Sequence, residues 1–144
     1  MTYLLDTNVL AEVRKGDRCD RRVARWFDSV SSRELFVSAL VLGEIRKGIE
    51  AVRPRDPAKA AAIERWLGRL KADHADRIVA IDPAIADEWG RMAARRPLSV
   101  VDGLLAATAK ARDLVLVTRN ATDVAGTGCR VLDPWSSPSR PRVA

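Results

Sequence analysis

The chain has 144 residues, of which 47% are hydrophobic and 31% are charged, a composition that is typical of one globular domain and excludes a disordered chain. Lysine and arginine number 25 against 19 aspartate and glutamate residues, for a formal net charge of +6; this balance favours a polyanionic partner, nucleic acid above all, although an acidic protein would fit equally well. One histidine and two cysteines make a multi-histidine zinc site and a Ser-His-Asp triad poor hypotheses.

Short apolar runs bounded by turn residues predict strands, and apolar residues at helical spacing predict helices. In chain order the predicted elements are a strand at 2–5, helices at 7–15 and 20–30, a strand at 35–37, helices at 39–50 and 57–74, a strand at 78–81, helices at 84–95 and 102–112, a strand at 114–118 and a last edge strand at 130–132. This alternation favours an α/β fold with a mostly parallel central sheet of four to five strands flanked by helices.

Residues 1–135 are expected to form this one domain, and the Pro-, Ser- and Arg-rich residues 136–144 are expected to form a flexible tail. No apolar run reaches the roughly 18 residues that span a membrane, and the N-terminus lacks the basic and long apolar segments of an export signal. We therefore expect a cytoplasmic protein. His74 stands among charged residues near a predicted helix end, and we expect it to be solvated.

Four acidic residues lie at or near the predicted strand ends, where open α/β sheets place their functional sites. They are Asp6 directly after the first strand, Glu44 in the apolar helix after the second, Asp102 at the start of the helix before the fourth, and Asp123 a few residues past that strand. A purely structural role is open for three of them, because Asp6 and Asp102 could cap helices and Asp123 could be a solvated turn residue. Glu44 resists this interpretation, since it shares a helix face with apolar residues and a carboxylate that faces a core needs a partner.

Carboxylates gathered in one pocket repel each other, and a hard divalent cation relieves that repulsion. Because the candidate ligands are oxygen atoms alone, Mg²⁺ or Mn²⁺ fits better than zinc. Such an ion beside a basic surface indicates phosphodiester hydrolysis, in which the metal activates water and neutralises charge on the phosphate. Polar residues near the same strand ends could orient the ligands or bind water; they are Thr7, Asn8, Ser38, Thr118 and Asn120.

The segments LLDTNVLAE, VSALVLGEIRKGIE, VVDGLLAATAKARDLVLVTRN and LDPW resemble those of PIN-domain ribonucleases, specifically the VapC-type toxins of toxin–antitoxin pairs. The resemblance runs from residue 3 to about 135, with the motifs in the same order and at the same spacing. It implies a PIN fold, Mg²⁺- or Mn²⁺-dependent cleavage of RNA, a VapB-type antitoxin whose C-terminal segment covers the active site, and a homodimer.

Carried over by position, the resemblance implies that the catalytic acids are Asp6, Glu44, Asp102 and Asp123, and that the first three bind the metal. In this family the fourth acid can directly follow the residues TR, where this chain has Asn120, and the next acid is Asp123.

Two other functions stay open. Phosphatases of the haloacid-dehalogenase kind also carry an aspartate at the end of the first strand, in a pattern close to DTNV, but the second acid of their motif is Asn8 here. A PIN-like module that only binds RNA or protein would be expected to have lost its acidic positions, and at least three of the four are present.

Overall fold

The computed structural model describes residues 1–136 and 139–144. Within them, six strands form one sheet; they are β1 Tyr3–Leu5, β2 Leu35–Ser38, β3 Ile78–Val79, β4 Val115–Val117, β5 Arg130–Leu132 and β6 Arg142–Val143. The strand order is β3-β2-β1-β4-β5-β6, parallel throughout except for the antiparallel β5–β6 pair. The mostly parallel α/β sheet is confirmed, with one strand more than expected.

Helices connect the parallel strands; in the described residues they are α1 Thr7–Val13, α2 Arg21–Ser29, α3 Ala39–Val52, α4 Pro57–Asp73, α5 Pro83–Ala93 and α6 Val100–Ala111. Each begins after an Asp or Ser whose side-chain oxygen accepts a hydrogen bond from a backbone N–H of the first turn. Parallel crossovers are right-handed, so the helices between β1 and β3 and those between β3 and β4 cover opposite faces of the sheet.

The core is deepest along the two central strands. Leu4, Leu5, Val115 and Val117 are fully buried, because β1 has a strand on either side and helices on both faces. Asp6 N donates to Val117 O at 3.0 Å, so the backbone fixes the two strand ends against each other. The carboxyl ends of β1 and β4 therefore form a rigid frame at the centre of the sheet. None of the described helices has both the length and the apolar character needed to cross a bilayer.

The structure changes three details of the predicted organisation. Helix α6 begins at Val100 with Ser99 as its cap, so Asp102 is not the residue that opens it. His74 is buried, with its ring Nδ1 3.0 Å from Leu70 O; the expectation of a solvated histidine was wrong because its ring folds back on the last turn of α4.

The predicted tail also differs in part from a loose segment. Arg142 and Val143 form β6, which pairs with β5, so 130–132 is not the edge of the sheet as expected. Ser137 and Pro138 lie outside the described residues. The flexibility expected for 136–144 stays a prediction.

Candidate metal centre

Asp6 occupies the carboxyl end of β1 at the point where the strand order reverses between β1 and β4. Its Oδ1 accepts from the backbone N–H of Thr7 at 2.7 Å, and its Oδ2 accepts from the Thr118 hydroxyl at 2.8 Å. The first contact caps α1, as a structural role requires. The second joins Asp6 to the end of β4, so one carboxylate serves both as a helix cap and as part of a polar cluster.

Thr118 is only 2% exposed, and its hydroxyl group uses all of its hydrogen-bonding capacity. It donates to Asp6 and accepts from the Asn8 side chain at 3.3 Å and from the Asn120 backbone N–H at 3.1 Å. The Asn8 side-chain oxygen in turn accepts from the Arg119 backbone N–H at 3.3 Å. This network restrains the orientation of Asp6; the ligand-orienting role expected for Asn8, Thr118 and Asn120 stays a prediction.

Glu44 and Asp102 reach the same region from α3 and α6, and each is hydrogen-bonded to a hydroxyl group. The Thr7 hydroxyl donates to Glu44 Oε1 at 2.8 Å. The Ser99 hydroxyl donates to Asp102 Oδ2 at 2.7 Å and accepts from the Asp102 backbone N–H at 3.2 Å. Both carboxylates are half-buried, which is the partnered environment that Glu44 was expected to need. Ser99 was not singled out in the sequence, although its place just before an apolar helix is a cap signal.

Electrostatics link the three acids. Burial raises the pKa of Asp6 above its ordinary value of 3.8, and the negative charges of Glu44 and Asp102 raise it further, whereas hydrogen bonds from Thr118 and Thr7 oppose the rise. The carboxylates are therefore close enough to repel each other through a partly buried site. A cation placed among them would remove this repulsion.

The donor set fits a hard divalent ion, because it consists of the Asp6 carboxylate, two further carboxylates whose negative charges act on it, and hydroxyl groups bonded to them. Among the described residues, no three His, Cys, Asp or Glu side chains are already gathered around one point as a ligand set. The three acids are instead each hydrogen-bonded to a hydroxyl group, those of Thr118, Thr7 and Ser99.

The remaining predicted residues, Ser38 and Asp123, are not among the described residues that hydrogen-bond to the Asp6 carboxylate. Ser38 is fully buried and caps α3 by accepting from the Leu40 backbone N–H at 3.2 Å, so it fixes the start of the helix that carries Glu44. Asp123 lies exposed in a 3-10 turn at Ala121–Val124. Within the described part of the chain its carboxylate makes no hydrogen bond, and Asn120 is the residue of this turn that joins the cluster.

An apolar cleft opens beside Glu44 and Thr7, between α1, α3 and α4, with a volume of about 270 Å³. We call it the α3–α4 cleft; its apolar lining includes Ile45, Ile49, Val52, Ile63 and Trp66, and Arg14 and Lys59 also line it. The Arg14 guanidinium lies 5.9 Å from the centre of the Trp66 ring. Only the packing of the three helices shows that these apolar residues border a cleft.

Comparison with known proteins agrees with this geometry. Residues 3–122 match the model of the PIN domain family. The chain is 28% identical over 137 residues to the VapC ribonuclease Y4jK of Sinorhizobium fredii, and the match covers 92% of this chain and 96% of that protein. It is also 28% identical over 137 residues to the toxin FitB of Neisseria gonorrhoeae, and this match covers 92% of this chain and 97% of FitB. It superposes on the crystal structure of FitAcB from Neisseria gonorrhoeae with a TM-score of 0.84 at 27% identity, over 93% of this chain and 99% of that one. A match to the family model over most of the chain leads to one conclusion: this protein belongs to the PIN domain family.

Proposed function

We propose that this protein is a ribonuclease that depends on Mg²⁺ or Mn²⁺ and acts as the toxin of a toxin–antitoxin pair. One observation carries the nuclease part: the ionised form of Asp6 is destabilised by burial and by two neighbouring carboxylates, an arrangement that a divalent cation would stabilise. Its similarity to a VapC ribonuclease and to the toxin FitB supports RNA as the substrate and toxicity as the role.

In this proposal Asp6, Glu44 and Asp102 hold the metal, and Asp123 is the fourth acidic residue of the site, with a smaller contribution to catalysis. When bound, the ion would supply Lewis-acid activation of the phosphodiester and of water. The chain supplies orientation: Thr118 and Asn8 fix Asp6, Thr7 fixes Glu44, and Ser99 fixes Asp102. The excess of basic residues over the whole chain attracts the RNA backbone, whose phosphates the uncovered carboxylates would otherwise repel.

We also propose a VapB-type antitoxin that places a segment in the α3–α4 cleft and an arginine or lysine among the carboxylates. The cleft is mostly apolar and opens on Glu44, so a bound segment would exclude RNA from the site. A bidentate arginine could pair with the carboxylates directly. The toxin is proposed to form a homodimer and a hetero-oligomer with this antitoxin.

The phosphatase alternative is not favoured, because the family match is to the PIN domain. The non-catalytic alternative requires a degraded site, and Asp6, Glu44 and Asp102 are all present with ordered partners. Both stay testable in the assay that tests the main proposal.

The test is cleavage of end-labelled RNA by the purified protein with Mg²⁺, with Mn²⁺ and with EDTA, beside hydrolysis of a chromogenic phosphate monoester. Asp6→Asn and Asp102→Asn should each lower the cleavage rate roughly 100-fold or more while the protein stays folded, since asparagine keeps the shape and much of the capping ability but not the charge that the metal needs. Asp123→Asn should lower the cleavage rate by a smaller factor.

Asp28→Asn is the matched control, because Asp28 is exposed near the end of α2, which leads to the amino end of β2 and not to the carboxyl ends of the strands, where Asp6 lies. It should cleave RNA at the wild-type rate. Cleavage that survives in Asp6→Asn or in EDTA would contradict the metal-dependent mechanism, and hydrolysis of the monoester without cleavage of RNA would favour the phosphatase.

A further inference from the structure

We call the carboxylates of Asp6, Glu44 and Asp102 the carboxylate cluster. Arg119 lies next to Asp6 of this cluster, and its backbone is fixed there. It directly follows Thr118, whose hydroxyl group donates to Asp6, and its own N–H donates to the Asn8 side chain at 3.3 Å. The pairing of Leu5 with Val117 sets the distance between the β1 and β4 ends. The start of the Arg119 side chain is thus as well defined as the site itself.

A buried indole supports the rest of the side chain. The Arg119 guanidinium carbon lies 5.0 Å from the centre of the Trp135 ring, within the distance of a cation–π contact. Trp135 is 8% exposed, and its backbone N–H donates to the Asp133 side chain at 2.9 Å. A guanidinium that stacks on an aromatic face keeps its N–H groups free at the edge of its plane.

Arg77 shows what an arginine with a structural role looks like in this chain. It is 7% exposed, and its guanidinium donates to Leu35 O at 3.2 Å, to Asp73 O at 2.8 Å and to the Asp76 carboxylate at 2.7 Å. Arg119 is exposed, and in the described part of the chain its guanidinium forms neither an ion pair nor a hydrogen bond. The contact with Trp135 therefore orients the N–H groups of the Arg119 guanidinium, and among the described residues these groups have no hydrogen-bond partner.

From this contrast we infer that Arg119 binds a backbone phosphate of the RNA strand beside the cleaved bond. The inference rests on the proposed function and adds a substrate contact to it. A phosphate next to three carboxylates needs a compensating positive charge, and a planar guanidinium can bind two phosphate oxygens at once. Trp135 acts as a positioning residue, because it lowers the freedom that Arg119 would lose on binding.

The test compares Arg119→Ala, Arg119→Lys and the wild type in two assays. Steady-state cleavage of single-stranded RNA in Mg²⁺ should show a KM that is roughly 3- to 10-fold higher for Arg119→Ala, with kcat within about twofold of wild type, because the contact forms in the ground state as well as in the transition state. Anisotropy of a short fluorescein-labelled single-stranded RNA, titrated in EDTA at several salt concentrations, should show a slope of log K against log salt that is smaller by about 0.7.

Arg119→Lys should keep the wild-type salt slope, because the charge stays, and should have an intermediate KM, because the planar fork is lost. Arg69→Ala is the matched control. Arg69 is exposed on the last turns of α4. These turns lead to the amino end of β3, and the amino ends of the parallel strands lie opposite the carboxyl ends, where Asp6 and Arg119 are. This variant loses the same charge and should keep the wild-type KM and slope.

The outcomes separate this inference from the proposed function. A wild-type protein that binds RNA but does not cleave it would overturn the proposed function, and a smaller slope in Arg119→Ala alone would still support the phosphate contact. A wild-type protein that cleaves RNA, with Arg119→Ala unchanged in KM and slope, would overturn the inference alone. A lower Tm of Arg119→Ala without those changes would also overturn it, because Arg119 would then only stabilise Trp135.

Discussion

Gly103 sits one residue after Asp102, and the packing around it predicts that even a methyl group there is too large. A Cβ added at Gly103 would lie 2.9 Å from both Cδ1 and Nε1 of Trp89 on α5, and 3.5 Å from Leu98 Cβ. The indole Nε1 is itself buried without a hydrogen-bond partner among the described residues, so the ring is enclosed on that side. Gly103→Ala must therefore displace a rigid ring or separate α5 from α6.

The expected magnitude is the difference between two effects. Overpacking of this kind costs about 1–3 kcal/mol, and the rigidity of the indole favours the upper part of that range. Replacing glycine by alanine inside a helix returns about 1 kcal/mol. The net loss is about 1–2 kcal/mol, which for a chain of this size lowers Tm by roughly 3–8 °C.

Gly68→Ala is the matched control. Gly68 lies inside α4 with nothing within 4 Å of an added Cβ, so only the helix propensity changes and Tm should rise by roughly 2–4 °C. Thermal unfolding of both variants by circular dichroism measures the pair. A Gly103→Ala variant as stable as Gly68→Ala would refute the close packing between α5 and the helix that carries Asp102.

Three further predictions concern the carboxylate cluster. Millimolar Mn²⁺ or Mg²⁺ should raise the Tm of the wild type by roughly 5–10 °C if it reaches about 100 times its Kd, and an equal shift in Asp6→Asn would contradict a site at Asp6. Because the pKa of Asp6 is raised in the fold, the native state binds more protons than the unfolded chain just above pH 3.8, and stability is lost as pH rises through the folded pKa. The Tm advantage of Asp6→Asn over the metal-free wild type should therefore grow from acid to neutral pH, and a constant difference would disprove the pKa shift. Rising Mg²⁺ at constant ionic strength should weaken antitoxin binding in calorimetry, since both need the same carboxylates; a flat affinity would mean that the antitoxin blocks the site without contacting them.

Asp6 shows which features of the site can be predicted from neighbouring residues in the sequence. A buried strand, an aspartate and a helical pattern follow one another directly, and the cap that this order predicts is present. Ser38 before α3 behaves in the same way. Such features depend on interactions between residues within three or four positions of each other, so the sequence predicts them without knowledge of the fold.

Other features needed the fold. The bond between Thr118 and Asp6 joins residues 112 positions apart, and it exists because β4 lies beside β1, an order that no local pattern encodes. The free edge of β5 decides that Arg142 and Val143 form a strand, since two residues carry no periodicity of their own. The stacking of Arg119 on Trp135 likewise depends on the path of the chain after β5, because Trp135 follows the end of that strand by three residues.

The sequence by itself determined the α/β class and the starts of most helices, because apolar periodicity and capping act at short range, and it supplied the candidate acidic residues. Only the tertiary structure decided which acids interact. It brings Asp6, Glu44 and Asp102 close enough to raise the pKa of Asp6, while Asp123 stays exposed on a neighbouring turn. The physical reason is that a carboxylate's neighbours and its degree of burial are set by strand order and helix packing, which join residues far apart in the chain.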